Sequence, residues 1–269
     1  MTDFLQQMAV LSEQRAADVK QTFRAVDLDR PVSPITLQGF DIIAEIKDRS
    51  PSEGRLAAPN RSRLQQAEDY IAGGAAAISV LTEPTRFSGE LGHLEEVSTL
   101  ATESGIPTMR KDFLVDAVQV LEARAAGASG VLLIAAMLSD STLQAMLDCA
   151  WEHAMFVLLE SFDAADLKRS SRLLESNQNL RQAEQGKLFV GINTRNLRTL
   201  AVDPGRLGEL ASMLPKQVVS VAESGLQNAA HAKNAASMGY GMALVGTALM
   251  RSRKPRQLLG DMLTAGRAA

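Results

Sequence analysis

Residues 107–136, PTMRKDFLVDAVQVLEARAAGASGVLLIAA, contain a complete strand–helix–strand unit. The pattern predicts a short apolar strand at Pro107–Arg110, an amphipathic helix at Ala117–Ala126 and a second strand at Gly130–Ile134. Gly127 follows the helix, at the position where a helix C-cap residue is expected. Two strands joined through a helix pair in parallel, so this stretch predicts a parallel sheet.

The same alternation continues on both sides of this unit. Further strands are predicted at Asp41–Ile46, Ala76–Leu81, Met155–Leu159, Leu188–Ile192, Val218–Ala222 and Met242–Val245. Further helices are predicted at Arg63–Ala72, Leu91–Ser104, Ser139–His153, Ala164–Glu175, Pro204–Leu214, Asn228–Met238 and Pro255–Ala265. Ser139 is the expected N-cap of its helix, Pro204 a first-turn residue and Gly239 a C-cap residue. Ser170–Lys187 is polar and is expected to form a helix end followed by a surface loop.

Eight strand–helix units in 269 residues favour a single (β/α)8 TIM-barrel domain over residues 1–269, since about 250 residues are typical of that fold. An open, doubly wound sheet has the same alternation, but the chain has no early GxGxxG motif. Residues 1–40 precede the first strand, and Phe4, Leu5 and Met8 indicate an amphipathic helix there. We expect this N-terminal helical extension to lie across one end of the barrel.

Composition excludes several classes of partner. The chain is 46% apolar and 22% charged, with a formal net charge of −3. It has no basic stripe, so we expect no nucleic-acid partner. The longest apolar run, Gly130–Leu138, is too short to span a bilayer, and the N-terminus does not resemble a signal peptide. The lone Cys149 fits a reducing compartment, so we expect a cytoplasmic protein.

The first predicted strand ends in two charged residues on one face. Glu45 and Lys47 are two positions apart, so both point into the barrel while Ala44 and Ile46 face the helices. Buried charges are costly unless they are paired. The pattern therefore predicts either a catalytic pair, since chemistry in this fold lies at the C-terminal strand ends, or a structural ion pair that closes the barrel.

Three later strands also end in polar residues. After the third strand, either Arg110 or Lys111 must point inward. Glu160 ends the fifth strand, and Asn193 and Arg195 follow the sixth. Glu160 fits equally well as a charge that favours a helix N-terminus, and the residues after the sixth strand fit ordinary turn chemistry.

Small residues follow the last two strands. Ser224 and Gly225 come after Glu223, and Gly246 precedes a short helix predicted at Thr247–Met250. Loops after the seventh and eighth strands, with such a helix, form the recurrent phosphate site of this fold. The segment 50–54 adds hydroxyl groups after the first strand, as a substrate-positioning loop or as a plain surface loop.

These residues resemble the indole-3-glycerol-phosphate synthase family. The resemblance is carried by IAEIKDRSPSEG (43–54), RKDF (110–113), GINTR (191–195) and ESG (223–225), and it spans all eight strands. It implies the decarboxylating ring closure and dehydration of 1-(2-carboxyphenylamino)-1-deoxyribulose 5-phosphate to indole-3-glycerol phosphate. It also implies that no metal or organic cofactor takes part.

The resemblance further implies roles for individual residues. Lys111 would be the general acid, Glu160 its partner in the later proton transfers, and Lys47 the lysine that contacts the substrate carboxylate. We expect Lys47 to lower the pKa of Lys111. The other implied site residues are Glu45, Asn193, Glu223 and Arg195 beside these groups, Ser50, Pro51, Ser224, Gly225, Gly246 and Thr247 at the phosphate, and Phe87, Phe113 and Leu132 against the ring.

The chain departs from the family pattern at three places. Phe162 stands where many relatives have His, the stretch from Glu160 to Asn193 is longer than usual, and the segment before the first strand is abbreviated. The alternatives are a diverged paralogue acting on another phosphorylated aminosugar and a non-catalytic phosphate-ligand-binding barrel. The intact lysine and glutamate set argues against both. We expect a monomer, monofunctional because no second barrel pattern follows residue 269.

Overall fold

Eight parallel strands close into a barrel in the computed structural model, which describes residues 4–24, 28–51, 53–56, 60–197 and 201–269. The strands are β1 (Asp41–Ile46), β2 (Ala77–Leu81), β3 (Thr108–Lys111), β4 (Gly130–Ile134), β5 (Phe156–Ser161), β6 (Leu188–Asn193), β7 (Ser220–Glu223) and β8 (Met242–Val245). Each strand pairs with its neighbours in chain order, and β8 pairs with β1. The closed barrel is confirmed, and the open sheet is excluded.

Helices surround the barrel or cover its ends. They are α1 (Phe4–Thr22), α2 (Arg63–Ala72), α3 (Pro84–Phe87), α4 (Leu91–Glu103), α5 (Ala117–Ala125), α6 (Asp140–Glu152), α7 (Ala164–Leu173), α8 (Asn177–Glu184), α9 (Arg206–Ala211), α10 (Ala229–Ser237), α11 (Thr247–Arg251) and α12 (Pro255–Arg267). A 3-10 turn, Ala135–Met137, follows β4, and a short antiparallel hairpin joins Arg49–Ser50 to Gly54–Arg55 after β1. Among the described residues, no helix is long and apolar enough to cross a membrane.

Strand alternation divides the core into two layers. In β1, Ile42, Ala44 and Ile46 pack in the shell between the strands and the helices. Ile43 points the other way and joins Phe156, among others, inside the barrel. All six residues of β1 are buried, as expected for a parallel strand that is covered on both faces.

Most of the predicted helix signals are confirmed. The Ser139 hydroxyl accepts a hydrogen bond from the backbone N–H of Thr142 at 3.1 Å, and Gly127 and Gly239 follow their helices with φ of +88° and +96°. Pro204 is not a first-turn residue, because α9 begins at Arg206. The Asp203 carboxylate accepts from the backbone N–H of Gly205 at 3.0 Å, so a turn fills this place before the helix starts.

The surface loop expected within Ser170–Lys187 is wrong. The segment continues α7 to Leu173 and then forms α8. Asn179 is buried on α8 and donates hydrogen bonds to the carbonyl of Leu173 at 2.8 Å and to Gln144 at 3.1 Å. Ala183 is the one apolar residue of this helix that is buried in the core, so the helix has too little apolar surface for hydrophobic periodicity to reveal it. It precedes β6 and therefore lies at the end of the barrel opposite the strand C-termini.

The N-terminal helix lies at the C-terminal end of the barrel. This agrees with the prediction that it lies across one end. Leu5 and Met8 of α1 join the apolar cluster that fills the barrel interior. The ring of Phe4 meets that of Phe113 at 5.9 Å in an edge-on arrangement. Further along, the Ser12 hydroxyl accepts from the side chain of Gln119 on α5 at 2.9 Å. Helix α1 therefore packs against the residues that follow β3 at the barrel mouth.

Candidate active site

A cavity of about 450 Å³ opens at the C-terminal ends of the strands. Every site residue that the sequence predicts lies on its lining: Glu45, Lys47, Ser50, Pro51, Phe87, Lys111, Phe113, Leu132, Glu160, Asn193, Arg195, Glu223, Ser224, Gly225, Gly246 and Thr247. Ser52, which belongs to the predicted substrate-positioning loop, lies outside the described residues. The fold therefore brings together side chains that are far apart in the chain, from β1 to α11.

Glu45 and Lys47 form an ion pair inside the barrel at the end of β1. Both side chains lie largely away from solvent, as strand alternation requires. Space for the pair comes from Gly246 at the end of β8. A Cβ atom at that position would lie 2.2 Å from Glu45 Oε1 and 2.8 Å from Lys47 Nζ, so no other residue fits without movement of the pair. Gly246 therefore shapes the site by lacking a side chain.

Lys111 stands at the centre of the carboxylate groups. Its Nζ lies 3.0 Å from Glu160 Oε2 and 3.5 Å from Glu223 Oε2. Burial by itself lowers the pKa of Lys111, but Glu160, Glu223 and Glu45 together outweigh burial and raise that pKa above its usual value. The expectation that Lys47 lowers it is wrong, because Lys47 is neutralised by Glu45 and the nearby carboxylates dominate.

Glu223 is a buried carboxyl with a strongly altered affinity for protons. Burial is the largest cause that raises its pKa well above the usual range, the neighbouring Glu160 raises it further, and Lys111 partly opposes both. Gly191 on β6 leaves room for this carboxyl, because a Cβ there would lie 1.9 Å from Glu223 Oε1. A carboxyl in this state can hold a proton next to an ammonium group.

The β6 end supplies a structured polar turn. Asn193 is buried and pairs in register with Glu223 on β7. Its Oδ1 accepts a hydrogen bond from the backbone N–H of Arg195 at 2.9 Å. Arg195 in turn pairs with Val202 across the loop. The turn thus fixes the Asn193 side chain and directs the loop that carries Arg195 over the mouth.

One side of the mouth is built for an anion. Ser224 and Gly225 both have left-handed backbones, with φ of 65° and 80°, directly after β7. Helix α11 begins at Thr247, and the first backbone N–H groups of a helix have no partner within it. On the same side, after the adjacent strand β1, the buried Ser50 accepts from the backbone N–H of Glu53 at 3.2 Å. This arrangement suits a phosphate group.

The opposite side of the mouth is apolar. The rings of Phe87 and Phe113 are 6.0 Å apart and tilted by 39°, and Leu132 lies in the same cluster. Sequence reasoning missed Ile134 and Leu197, which also line the cavity. Ile134 follows Leu132 at strand spacing of two, so alternation along β4 could have identified it. An aromatic ring of a ligand has a fitting surface here.

A buried ionic network surrounds Asp112, the residue after Lys111. Asp112 accepts from Arg15 at 2.7 Å, from Arg110 at 3.1 Å and from the Thr82 hydroxyl at 2.7 Å. Burial alone raises the pKa of Asp112, but Arg110 and Arg15 outweigh burial and lower it. Arg15 comes from α1, and no local sequence signal indicates its partner. The network fixes the backbone on both sides of Lys111.

A second pair missed by sequence reasoning lies on the rim of the mouth. Arg251, the last residue of α11, contacts the Glu53 carboxylate at 2.8 Å, and both residues line the cavity. Over the described ranges, no cluster of three or more His, Cys, Asp or Glu side chains could hold a metal ion.

Comparisons with known proteins agree on one family. A family model described as indole-3-glycerol phosphate synthase matches residues 5–262. An indole-3-glycerol phosphate synthase from a Nocardioides species is 40% identical over 251 residues, which cover 91% of this chain and 90% of that protein. One from Lactiplantibacillus plantarum is 37% identical over 258 residues, covering 92% and 93%.

Solved structures agree with the fold. The structure of 3-hexulose-6-phosphate synthase from Salmonella typhimurium matches with a TM-score of 0.60. It is 14% identical in sequence and covers 84% of this chain and 97% of its own. At that identity the likeness supports the barrel architecture alone.

Proposed function

The chain belongs to the indole-3-glycerol phosphate synthase family, and from this premise we propose how the groups at its mouth carry out the reaction. The reaction converts 1-(2-carboxyphenylamino)-1-deoxyribulose 5-phosphate to indole-3-glycerol phosphate, with release of carbon dioxide and water. The enzyme is thus a decarboxylating lyase of tryptophan biosynthesis. The proposal concerns which residues perform each step.

Lys111 is the general acid of ring closure. The observation that carries this assignment is its place between two buried carboxyls, 3.0 Å from Glu160 and 3.5 Å from Glu223. The amine is charged at neutral pH, so a proton is available, and the carboxylates beside it raise its pKa further. When the ring carbon attacks the ribulose carbonyl, negative charge develops on the carbonyl oxygen. Proton transfer from the ammonium group removes that charge as the carbon–carbon bond forms.

Glu160 serves the steps that follow. The bond from the ring carbon to its carboxylate breaks, carbon dioxide leaves, and the electron pair restores the aromatic ring. The new hydroxyl group then leaves as water after it gains a proton, while the neighbouring carbon loses a proton to a base. Glu160 contacts Lys111 directly, so a proton can pass between the two groups. Glu223, on the other side of Lys111, orients the amine.

Lys47 holds the carboxylate end of the substrate and assists dehydration. It is the second buried ammonium group of the cavity, and Glu45 fixes its position. An ammonium group stabilises the ring carboxylate before it leaves as carbon dioxide. Arg195 and Asn193, at the end of β6, add further polar groups to the cavity lining.

Two contacts hold the flexible substrate in a folded form. Its phosphate binds at the segments around Ser50, Ser224 and Thr247, and its ring packs on Phe87 and Phe113. The phosphate contact is remote from the reacting carbons, whereas the ring contact orients the ring that contains the attacking carbon. Binding energy from both ends therefore serves to bring the ring carbon to the carbonyl, which is the entropic part of the barrier.

The assignment is tested by adding the carboxyphenylamino-deoxyribulose phosphate to purified protein and following indole-glycerol fluorescence. We expect Lys111→Ala to lower kcat by about 100-fold or more, and Glu160→Gln to lower it by a comparable factor, as loss of a general acid or base does. Lys168→Ala, an exposed lysine on α7, is the matched control and should keep wild-type kinetics. Turnover that survives in folded Lys111→Ala would overturn the assignment.

We also propose that the enzyme acts in the cytoplasm as a monomer on its small phosphorylated substrate. The lone cysteine and the absence of a membrane-spanning helix among the described residues support the location. Sedimentation of the purified protein tests the oligomeric state, and a dimer at working concentration would contradict it.

A further inference from the structure

We propose that Arg251 is an additional phosphate-binding residue. When substrate binds, the Arg251 guanidinium breaks its ion pair with Glu53 and binds the substrate phosphate instead. The inference rests on the proposed function, because it takes the phosphate site described above as given. It adds a charged, bidentate ligand to a site whose other predicted groups are hydroxyls and backbone N–H groups. It also gives the hairpin after β1 a defined part in binding.

The Arg251–Glu53 pair joins the two segments that form the phosphate site. Glu53 is fixed to Ser50, whose hydroxyl and carbonyl accept from the Glu53 backbone N–H at 3.2 and 3.4 Å. Arg251 ends the short helix that begins at Thr247. The guanidinium lies 2.8 Å from the Glu53 carboxylate and 3.5 Å from the Glu53 carbonyl, so it is held beside the segment that carries Ser50.

Charge in the cavity favours this exchange. Among the described residues on the lining, the cations are Lys47, Lys111, Arg195 and Arg251, whereas the acids are Glu45, Glu53, Asp112, Glu160 and Glu223. Asp112 is neutralised by Arg15 and Arg110 behind the lining, and Glu223 can hold a proton, so the lining has no large excess of positive charge before the substrate adds a carboxylate and a phosphate. A cation released from its internal partner would offset the charge of the phosphate.

Arg251 can leave its partner more easily than either lysine. Lys47 and Lys111 are bound to buried carboxylates, and removing either from its partner would strand a buried charge. The side chains of Arg251 and Glu53 are 55% and 33% exposed, and exposed ion pairs contribute about 0–1 kcal/mol. Water can solvate the Glu53 carboxylate after the exchange. A guanidinium also binds phosphate through two parallel hydrogen bonds. This contact is at least as strong as the exposed ion pair with the Glu53 carboxylate.

The test measures the affinity for inorganic phosphate, both as an inhibitor of turnover and directly by thermal shift. In Arg251→Gln we expect the phosphate dissociation constant to rise about tenfold, as loss of a charged hydrogen bond predicts. The KM for substrate should rise by a similar factor, with a smaller change in kcat. Arg253→Gln removes an exposed arginine two residues further on, away from the cavity lining, and should match wild type.

Glu53→Gln distinguishes exchange from a fixed structural pair. If Glu53 competes with phosphate for Arg251, its removal should tighten phosphate binding by about threefold. Unchanged or weaker phosphate binding in Glu53→Gln, or wild-type binding in Arg251→Gln, would overturn the inference. Wild-type protein that binds phosphate but makes no product would overturn the proposed function and leave the inference standing, so the two failures are separable.

Discussion

Two glycines shape the site at the scale of single residues. Gly246 leaves room for the Glu45–Lys47 pair, and Gly191 leaves room for the Glu223 carboxyl. Neither has a positive φ, so their value lies in the missing side chain rather than in backbone freedom. A methyl group at either position would occupy the place of a charged atom that takes part in the proposed chemistry.

Gly246→Ala should therefore lower kcat/KM by about 100-fold, because displacing a catalytic group by about 1 Å has effects of that size. The matched control is Gly260→Ala in α12, where a Cβ meets nothing within 4 Å. The control should retain wild-type activity and gain up to about 1 kcal/mol of stability from its higher helix propensity. Steady-state kinetics and urea unfolding measure both variants. Equal activity of the two would contradict this account of Gly246.

The carboxyl of Glu223 predicts a change in stability with pH. Its pKa in the folded protein lies well above its value in the unfolded chain, which is about 4.3. Its contribution to stability is therefore fully present below about pH 4 and is lost as pH rises through the raised pKa. Glu223→Gln cannot titrate, so the free energy of unfolding of this variant, relative to wild type, should grow from acid pH toward neutral.

Urea unfolding at a series of pH values checks this prediction. The stability difference should grow with pH because the folded wild-type protein then has to release a proton from the buried Glu223 carboxyl. A glutamine side chain carries no such proton. A stability difference that stays constant across the series would show that Glu223 titrates normally in the folded protein. Activity of Glu223→Gln, recorded in parallel, reports separately on its orienting role toward Lys111.

At the scale of elements, α1 is connected to the strand end that carries Lys111. Arg15 contacts Asp112 at 2.7 Å and Glu83 at 3.6 Å, and both acids are buried. Glu83 also caps α3, since its carboxylate accepts from the backbone N–H groups of Thr85, Arg86 and Phe87. One side chain of the N-terminal helix thus supports two loops of the mouth.

Arg15→Met should lower the free energy of unfolding by about 1.5–3 kcal/mol, because two buried acids lose a charged partner. Lys20→Met is the matched control on the same helix. It removes the Lys20–Asp116 pair, which is more exposed, and should cost no more than about 1 kcal/mol. Urea unfolding separates the two variants. Equal losses would mean that helix docking in general, not the buried network, determines the effect.

The sequence was sufficient where the local pattern determines the structure. Strand alternation placed Glu45 and Lys47 inside the barrel, and the order of strand ends was enough to bring Lys111 and Glu160 to one cavity. The sequence was insufficient where a contact or a pKa depends on residues that are far apart in the chain. Arg15 is 97 positions from its partner Asp112, and no local periodicity records such a contact. The pKa of Lys111 likewise depends on three carboxylates from different strands.

The two errors in secondary structure have the same origin. Helix α8 has a polar sequence and is held through buried Asn179, whose partners lie on other elements. Pro204 has a residue type that suits a first turn, but the Asp203 side chain forms a turn there instead. In both places, side-chain hydrogen bonds overrode a rule that rests on residue type alone.

At the scale of the whole molecule, the cavity depends on the closed barrel. Its lining comes from all eight strands, so no smaller part of the fold contains the site. The barrel closes through the pairing of β1 with β8. Opposite the mouth, Arg267 of α12 contacts Asp41 at 2.7 Å, which attaches the last helix to the first strand.

A ligand that binds at this mouth should stabilise the barrel as one unit. Indole-3-glycerol phosphate at about 100 times its Kd should add about 2.7 kcal/mol to the free energy of unfolding. For a chain of this size that corresponds to a rise in Tm of about 5–10 °C. Calorimetry should show one transition that moves as a whole. A transition that splits, with only one part shifted, would contradict a single cooperative barrel.

The internal pairing of the cavity's cations also determines which anions can compete for the site. Lys47, Lys111 and Arg251 each have a carboxylate partner before any ligand arrives. An anion with one charged group can replace only one of these carboxylate partners. A second such anion must lose its own translational freedom before it can bind at another cation. A molecule with an anionic group at each end binds the second at a high effective concentration once the first is held. The mouth therefore favours bivalent ligands over small anions such as inorganic phosphate.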